Sequence, residues 1–161
     1  MAQGRGYTVT SGLIAVNCGS QTPILFATAA STVSADALAL RISCPSGSSP
    51  TFPANSSVKF TLALTTSGVG TTAATPGKAN RLDIAANSLW YTTWSTPPTI
   101  GQILWEHNVS FSAGANWGEV FPAGLERRLG GTGSADQWAL FVTLSATSTA
   151  TDFEGSVDFI E

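Results

Sequence analysis

Apolar and polar residues alternate along much of this chain. Over residues 37–44, Leu38, Leu40, Ile42 and Cys44 fall on one side of an extended segment. Over 57–66, Val58, Phe60, Leu62 and Leu64 do the same, with Lys59, Thr61 and Thr65 opposite. Over 103–111 the inward set is Ile103, Trp105, His107, Val109 and Phe111, and over 137–144 it is Trp138, Leu140, Val142 and Leu144. The C-terminal stretch sets Phe153, Gly155, Val157 and Phe159 against Glu154, Ser156, Asp158 and Ile160. Successive side chains of a strand point to opposite faces, so a period of two predicts half-buried strands. Clusters of Gly, Pro, Ser and Asn at 17–23, 45–57, 67–80, 96–101, 114–116 and 130–136 predict the turns between them. No stretch has the period and caps of a long amphipathic helix. The pattern predicts an all-β chain, an antiparallel β-sandwich or jelly-roll-like single domain over 1–161. The small-residue segment 67–80 is expected to be a mobile loop.

Composition sharpens this picture. A chain of 161 residues suits one domain. Its 43% hydrophobic content, with five Trp and eight Phe, excludes a disordered chain. Charged residues make up only 11%, against about 25% in an ordinary soluble domain. One reading is a lightly charged secreted or surface-exposed domain. The other is a surface buried against further subunits, where Lys and Glu are depleted, and it predicts a homo-oligomer, with a trimer favoured. The net charge of −3 and the absence of a basic stretch argue against nucleic acid as a partner, since phosphate neutralisation needs a cationic face. No run approaches the roughly 20 apolar residues of a membrane-spanning helix, and no membrane association is expected. The opening MAQGRGYTV lacks the apolar core of a signal peptide, so folding in the cytosol is expected. Cys18 and Cys44 are then expected as reduced, packed thiols, with a disulfide between them as the alternative.

Candidate chemistry is sparse. His107 is the only histidine and falls on the apolar side of its predicted strand, pointing away from Glu106, as a packed or interface histidine rather than a catalytic one. One His and two separated Cys do not match zinc-ligand spacings. The carboxylates are dispersed over different predicted elements, and no pair is signalled for acid–base work. The run LGGTGSAD over 129–136 lacks the Lys-Ser/Thr of a phosphate loop. Sequons at Asn55 and Asn108 are expected to be incidental. No catalytic residue, cofactor or metal is therefore expected. The residues singled out form a candidate partner interface: Trp90 and Trp94, which on a regular strand share a face about 13 Å apart and belong either to the fold's own core, to an interface or to a ligand platform; Trp117, expected to follow a hairpin tip; and the doublet Arg127-Arg128. Trp and Arg are both enriched at the energetic centres of interfaces. Within a strand the two arginines point to opposite faces, so at most one is expected to reach a given partner.

The two ends of the chain carry a resemblance. The opening YTVTSGLIAVNCGS and the long C-terminal part PPTIGQILWEHNVSFSAGANWGEVFPAGLERRLGG, followed by DQWALFVTLSATSTATDFEGSVDFIE, are similar to a family of small all-β proteins encoded near the capsid genes of tailed phages infecting actinobacteria. The shared pattern is a Pro-Thr-x-Gly segment (Pro98 to Gly101), an aromatic-Pro-x-Gly-x-Glu element (Phe121 to Glu126) and a closing strand ending in an acid (Glu161). Residues 46–89 lie outside the resemblance. It implies a non-enzymatic virion protein on the capsid exterior, with the major capsid protein shell as partner. The alternative reading is a glycan-binding module or adhesin, or a head-fibre or tail component, using Trp90 and Trp94.

Overall fold

A computed structural model describes residues 4–28, 34–44, 57–110, 115–129, 137–145 and 151–161. Among them the chain forms β1 (Gly6–Val16), β2 (Gln21–Thr28), β3 (Ala35–Ser43), β4 (Ser57–Ala74), β5 (Gly77–Lys78), β6 (Leu89–Ser110), β7 (Asn116–Val120), β8 (Arg127–Leu129), β9 (Gln137–Leu144) and β10 (Thr151–Ile160), and no helix. The architecture is the expected one: two antiparallel sheets packed face to face as a β-sandwich.

The first sheet is open, in the order β5-β1-β10-β3-β7, with β8 also on β3. Its buried face follows the sequence alternation. In β10, Thr151, Phe153, Gly155, Val157 and Phe159 are buried, while the residues between them are half-exposed. Two irregularities adjust the register. In β1, Ser11 and Gly12 form a bulge between Thr10 and Leu13. Gly12 takes a φ of 65°, open to glycine at little cost, and the Ser11 hydroxyl accepts the Gly155 N–H at 2.9 Å. In β3 the register shifts opposite Asp158 and Phe159. Leu38, expected with Leu40 and Ile42, is left half-buried, and Ala35 and Ala37 take the buried positions instead.

The second sheet closes on itself as β2-β6-β4-β9. Closure rests on the length of β6: residues 89–91 pair with β2, while the strand as a whole runs antiparallel to β4. One face meets the open sheet through Val58, Phe60, Leu62, Trp90, Trp138, Leu140 and Val142. The other face is also buried, around Phe26, Ala63, Ala139 and Phe141, with Tyr91, Trp94 and Ile100 packed against them. The 67–80 segment is therefore not a loop throughout: β4 continues to Ala74, and Gly77 and Lys78 form β5. The turn expected at 96–101 is likewise strand. Pro97 and Pro98 sit where the β4–β6 register is broken repeatedly, between Ser67 and Gly70, so their missing N–H groups leave no regular ladder bond unmade. Glycines make room at the same place. A Cβ at Gly68 would lie 2.8 Å from the Phe26 ring, and one at Gly70 would collide with the Tyr91 ring.

Candidate partner-binding surface

Trp90 is core, not surface. It is 1% exposed, meets Trp138 edge-on at 4.4 Å between ring centres, and packs on Phe159 at 4.7 Å. Its indole N–H is satisfied by the Ser88 hydroxyl at 2.8 Å, as a buried polar tip requires. Trp94 does not share its face. The register breaks at Gly70–Ala73 shift the alternation between the two residues, so Trp94 joins Tyr91 against the second, smaller cluster. The spaced Trp90–Trp94 platform therefore does not form.

Trp117 is on β7 opposite Ile42 and faces the space between the sheets. At this rim β6 brings Trp105 and His107, which share a face as the alternation predicts. The Trp117 ring lies 5.1 Å from Trp105, 5.3 Å from His107 and 5.2 Å from Phe60. Trp105 and His107 stack at 5.8 Å and 10°. Trp105 and Trp117 are half-buried and His107 is exposed, so three rings form a strip along the edge of the sandwich. Sequence reasoning placed Trp105 and His107 on the inward face, read His107 as a packed or interface residue, and left Trp105 out of the candidate surface. Their exposure comes from lying at an edge, which alternation does not encode. Ile103 departs from the expected inward set: the register breaks between Leu62 and Ala63, and Ile103 is left half-exposed on the opposite face.

Of the arginine doublet, Arg128 is exposed and binds Asp36 through two bonds, Nε–Oδ1 at 3.0 Å and Nη2–Oδ2 at 3.3 Å. These bonds and the Asp36 charge raise its pKa above the usual arginine value. The partner is on neighbouring β3. Arg127 lies opposite Ala37 in the β3–β8 ladder. Cys18 and Cys44 carry thiols rather than a disulfide. The LGGTGSAD run beyond Leu129, the turns at 45–56 and 130–136, Phe111 and the sequon at Asn55 lie outside the described residues.

The outer face of the open sheet holds a groove of about 550 Å³ over β10, β3 and β7. Gly118 and Ser156 lie opposite Arg41 from either side, and Glu154 and the 74%-exposed Val120 also line the groove; Glu119, between Gly118 and Val120, alternates to the side of Trp117. Arg41 is held by Asp158, whose other oxygen accepts the Thr8 hydroxyl at 2.6 Å. Glu119 and Glu154 make no ion pair with another described residue. No cluster of three or more metal-ligating side chains occurs among the described residues. The groove and the aromatic strip lie on opposite sides of β7, the short strand at the sheet edge. Comparison with protein-family models, with curated proteins and with solved structures finds no match to this chain.

Proposed function

We propose that this is a non-enzymatic structural protein that binds the outer surface of a phage capsid as a self-associating decoration of the head, made in the host cytoplasm and carried on the virion. The observation that carries this reading is the aromatic strip of Trp105, His107 and Trp117, held on rigid strands at the sandwich rim. Aromatic rings fixed at low conformational cost are the usual centres of protein–protein contacts. The rings pack on one another within 6 Å, a compact cluster suited to a protein contact rather than a row of separate rings for successive sugars. A further support comes from the resemblance. Its two ends, the opening segment and the closing strand, are β1 and β10, paired along their whole length.

Stabilisation of the shell would follow from mass action. A protein that binds assembled heads and not free capsid subunits stabilises the assembly by about 2.7 kcal/mol per site at a hundredfold excess over Kd. The test is co-sedimentation with empty heads built from the major capsid protein of the phage whose genome carries this gene. Saturable binding is expected, weakened at least tenfold by His107→Glu, which alters an exposed side chain. Absence of head binding at saturating concentration, or unchanged binding by His107→Glu, would overturn the reading. Binding to a glycan array without binding to heads would replace it with the adhesin alternative.

A further inference from the structure

The segment between β5 and β6 is exposed, apolar at its tip and firmly held. Leu82 is 84% exposed and Ile84 53%. An unanchored loop would be expected to fold such side chains inward, yet this one is fixed from several directions. The Glu161 carboxylate accepts the Asn87 N–H at 2.8 Å and the Ser88 N–H at 2.9 Å. The Tyr7 hydroxyl donates to the Ile84 carbonyl at 3.1 Å, and the Asn80 side chain accepts the Leu82 N–H at 3.1 Å. The Ala79 N–H reaches the Gly6 carbonyl at 2.9 Å, joining the loop to β1. The result is a pre-organised apolar knob. Preorganisation lowers the ordering cost of binding.

Its charges match the groove. Lys78 and Arg81 flank the knob, are exposed and form no ion pair with another described residue, and Asp83 between its apolar tips is half-buried; half-buried Glu154 lines the groove and likewise forms no ion pair with another described residue. The two features also lie at opposite edges of one sheet, the knob beside β5 and β1, the groove over β10, β3 and β7. A patch at one edge that complements a patch at the other describes a head-to-tail contact, which closes into a ring when the rotation permits.

We propose that the Leu82–Ile84 knob of one copy seats in the β10–β3–β7 groove of the next, so that the protein assembles as a heterologous ring. This inference rests on the self-association in the proposed function and names the surfaces that perform it. Lys78 and Arg81 then meet Glu154 around an apolar contact with Val120.

Sedimentation equilibrium of the protein alone tests it, separately from head binding. Two single variants each remove one half of the contact. Leu82→Asp spoils the knob, and Gly118→Leu fills the groove, where a Cβ meets nothing closer than 3.5 Å. Wild type is expected as a closed oligomer and each variant as a monomer. Mixed in equal amounts at high concentration, the two variants are expected to form one-to-one dimers, because one retains its groove and the other its knob. A symmetric, like-to-like contact gives no such rescue. A second pair guards against misfolding of the first: Arg81→Glu and Glu154→Lys, each weakening association at least tenfold, with recovery when both are present. A monomeric wild type, variants that keep the wild-type mass, or mixtures that show no recovery in either pair would overturn the proposal. Occupation of the groove by a small polar ligand that leaves the oligomer unchanged would overturn it as well.

Discussion

Strands β10 and β9 have similar lengths and opposite burial. In β10, at the centre of the open sheet, every second residue is buried and the intervening ones reach solvent. In β9, on the closed sheet, Trp138 to Val142 are buried without a break. An open sheet packed on one side needs only one apolar face. A sheet curled on itself must fill a second, and here the filling is small or aromatic: Ala63, Ala139, Phe26 and Phe141, with Thr61 and Thr65 also buried. The difference bears on composition. Positions that in an open sheet would carry Lys or Glu are lumen positions here, so part of the chain's low charge reflects closure rather than contact with other subunits.

Large-to-small substitutions give the strongest test of this contrast. In β10, Phe159→Ala is expected to cost about 3–5 kcal/mol and Ser156→Ala less than about 0.5, measured by urea unfolding. In β9 both faces should respond: Leu140→Ala and Phe141→Ala are each expected to cost about 2–5 kcal/mol. A negligible effect of Phe141→Ala would mean that the second face is not enclosed. Glycine substitutions come next. Gly70→Val drives a side chain into Tyr91 and is expected to cost about 1–3 kcal/mol, whereas Gly118→Ala on the open sheet should stay within about 0.5 kcal/mol.

A smaller effect is expected at the tie between the sandwich and its loop. Glu161→Gln replaces a charged acceptor for two backbone N–H groups and should cost about 1–2 kcal/mol, with faster amide exchange at Asn87 and Ser88. Exchange unchanged at both would show that the carboxylate does not hold the loop. The least effect is expected from reductant. Cys18 bridges to Leu144 of the closed sheet and Cys44 follows β3 of the open one, so a disulfide would staple the two sheets together. With thiols at both positions, Tm should be the same with and without reductant. A drop would reveal a cross-link worth about 3 kcal/mol.

How much was legible follows the same division. The open sheet's β10 could be read directly, because one-sided burial writes itself as alternation. The closed sheet could be read on one face only: Trp138, Leu140 and Val142 announce the inter-sheet core, but nothing marks Ala63 or Ala139 as buried opposite them. Bulges did the remaining damage. A single extra residue reverses every later side chain, which is why Leu38, Ile103 and Trp94 left their expected faces. Of the candidate interface, Trp117 is at a half-exposed rim, Trp90 is buried and Arg128 is held by Asp36. Their pairings join positions far apart in the chain, which local pattern cannot supply.

The placement of β10 has a consequence for how the chain is made. It lies between β1 and β3, which do not pair with each other. During synthesis β1 must therefore wait for about 145 further residues, roughly 7–30 s at 5–20 residues per second, before its partner exists. For that time β1 and β3 hold unpaired edges and apolar faces, and interim association is their main hazard. A product that stops short of residue 151 loses the keystone of its sheet rather than a peripheral strand. Because β10 is made long after both of its neighbours, only a chain translated through it can complete the sandwich.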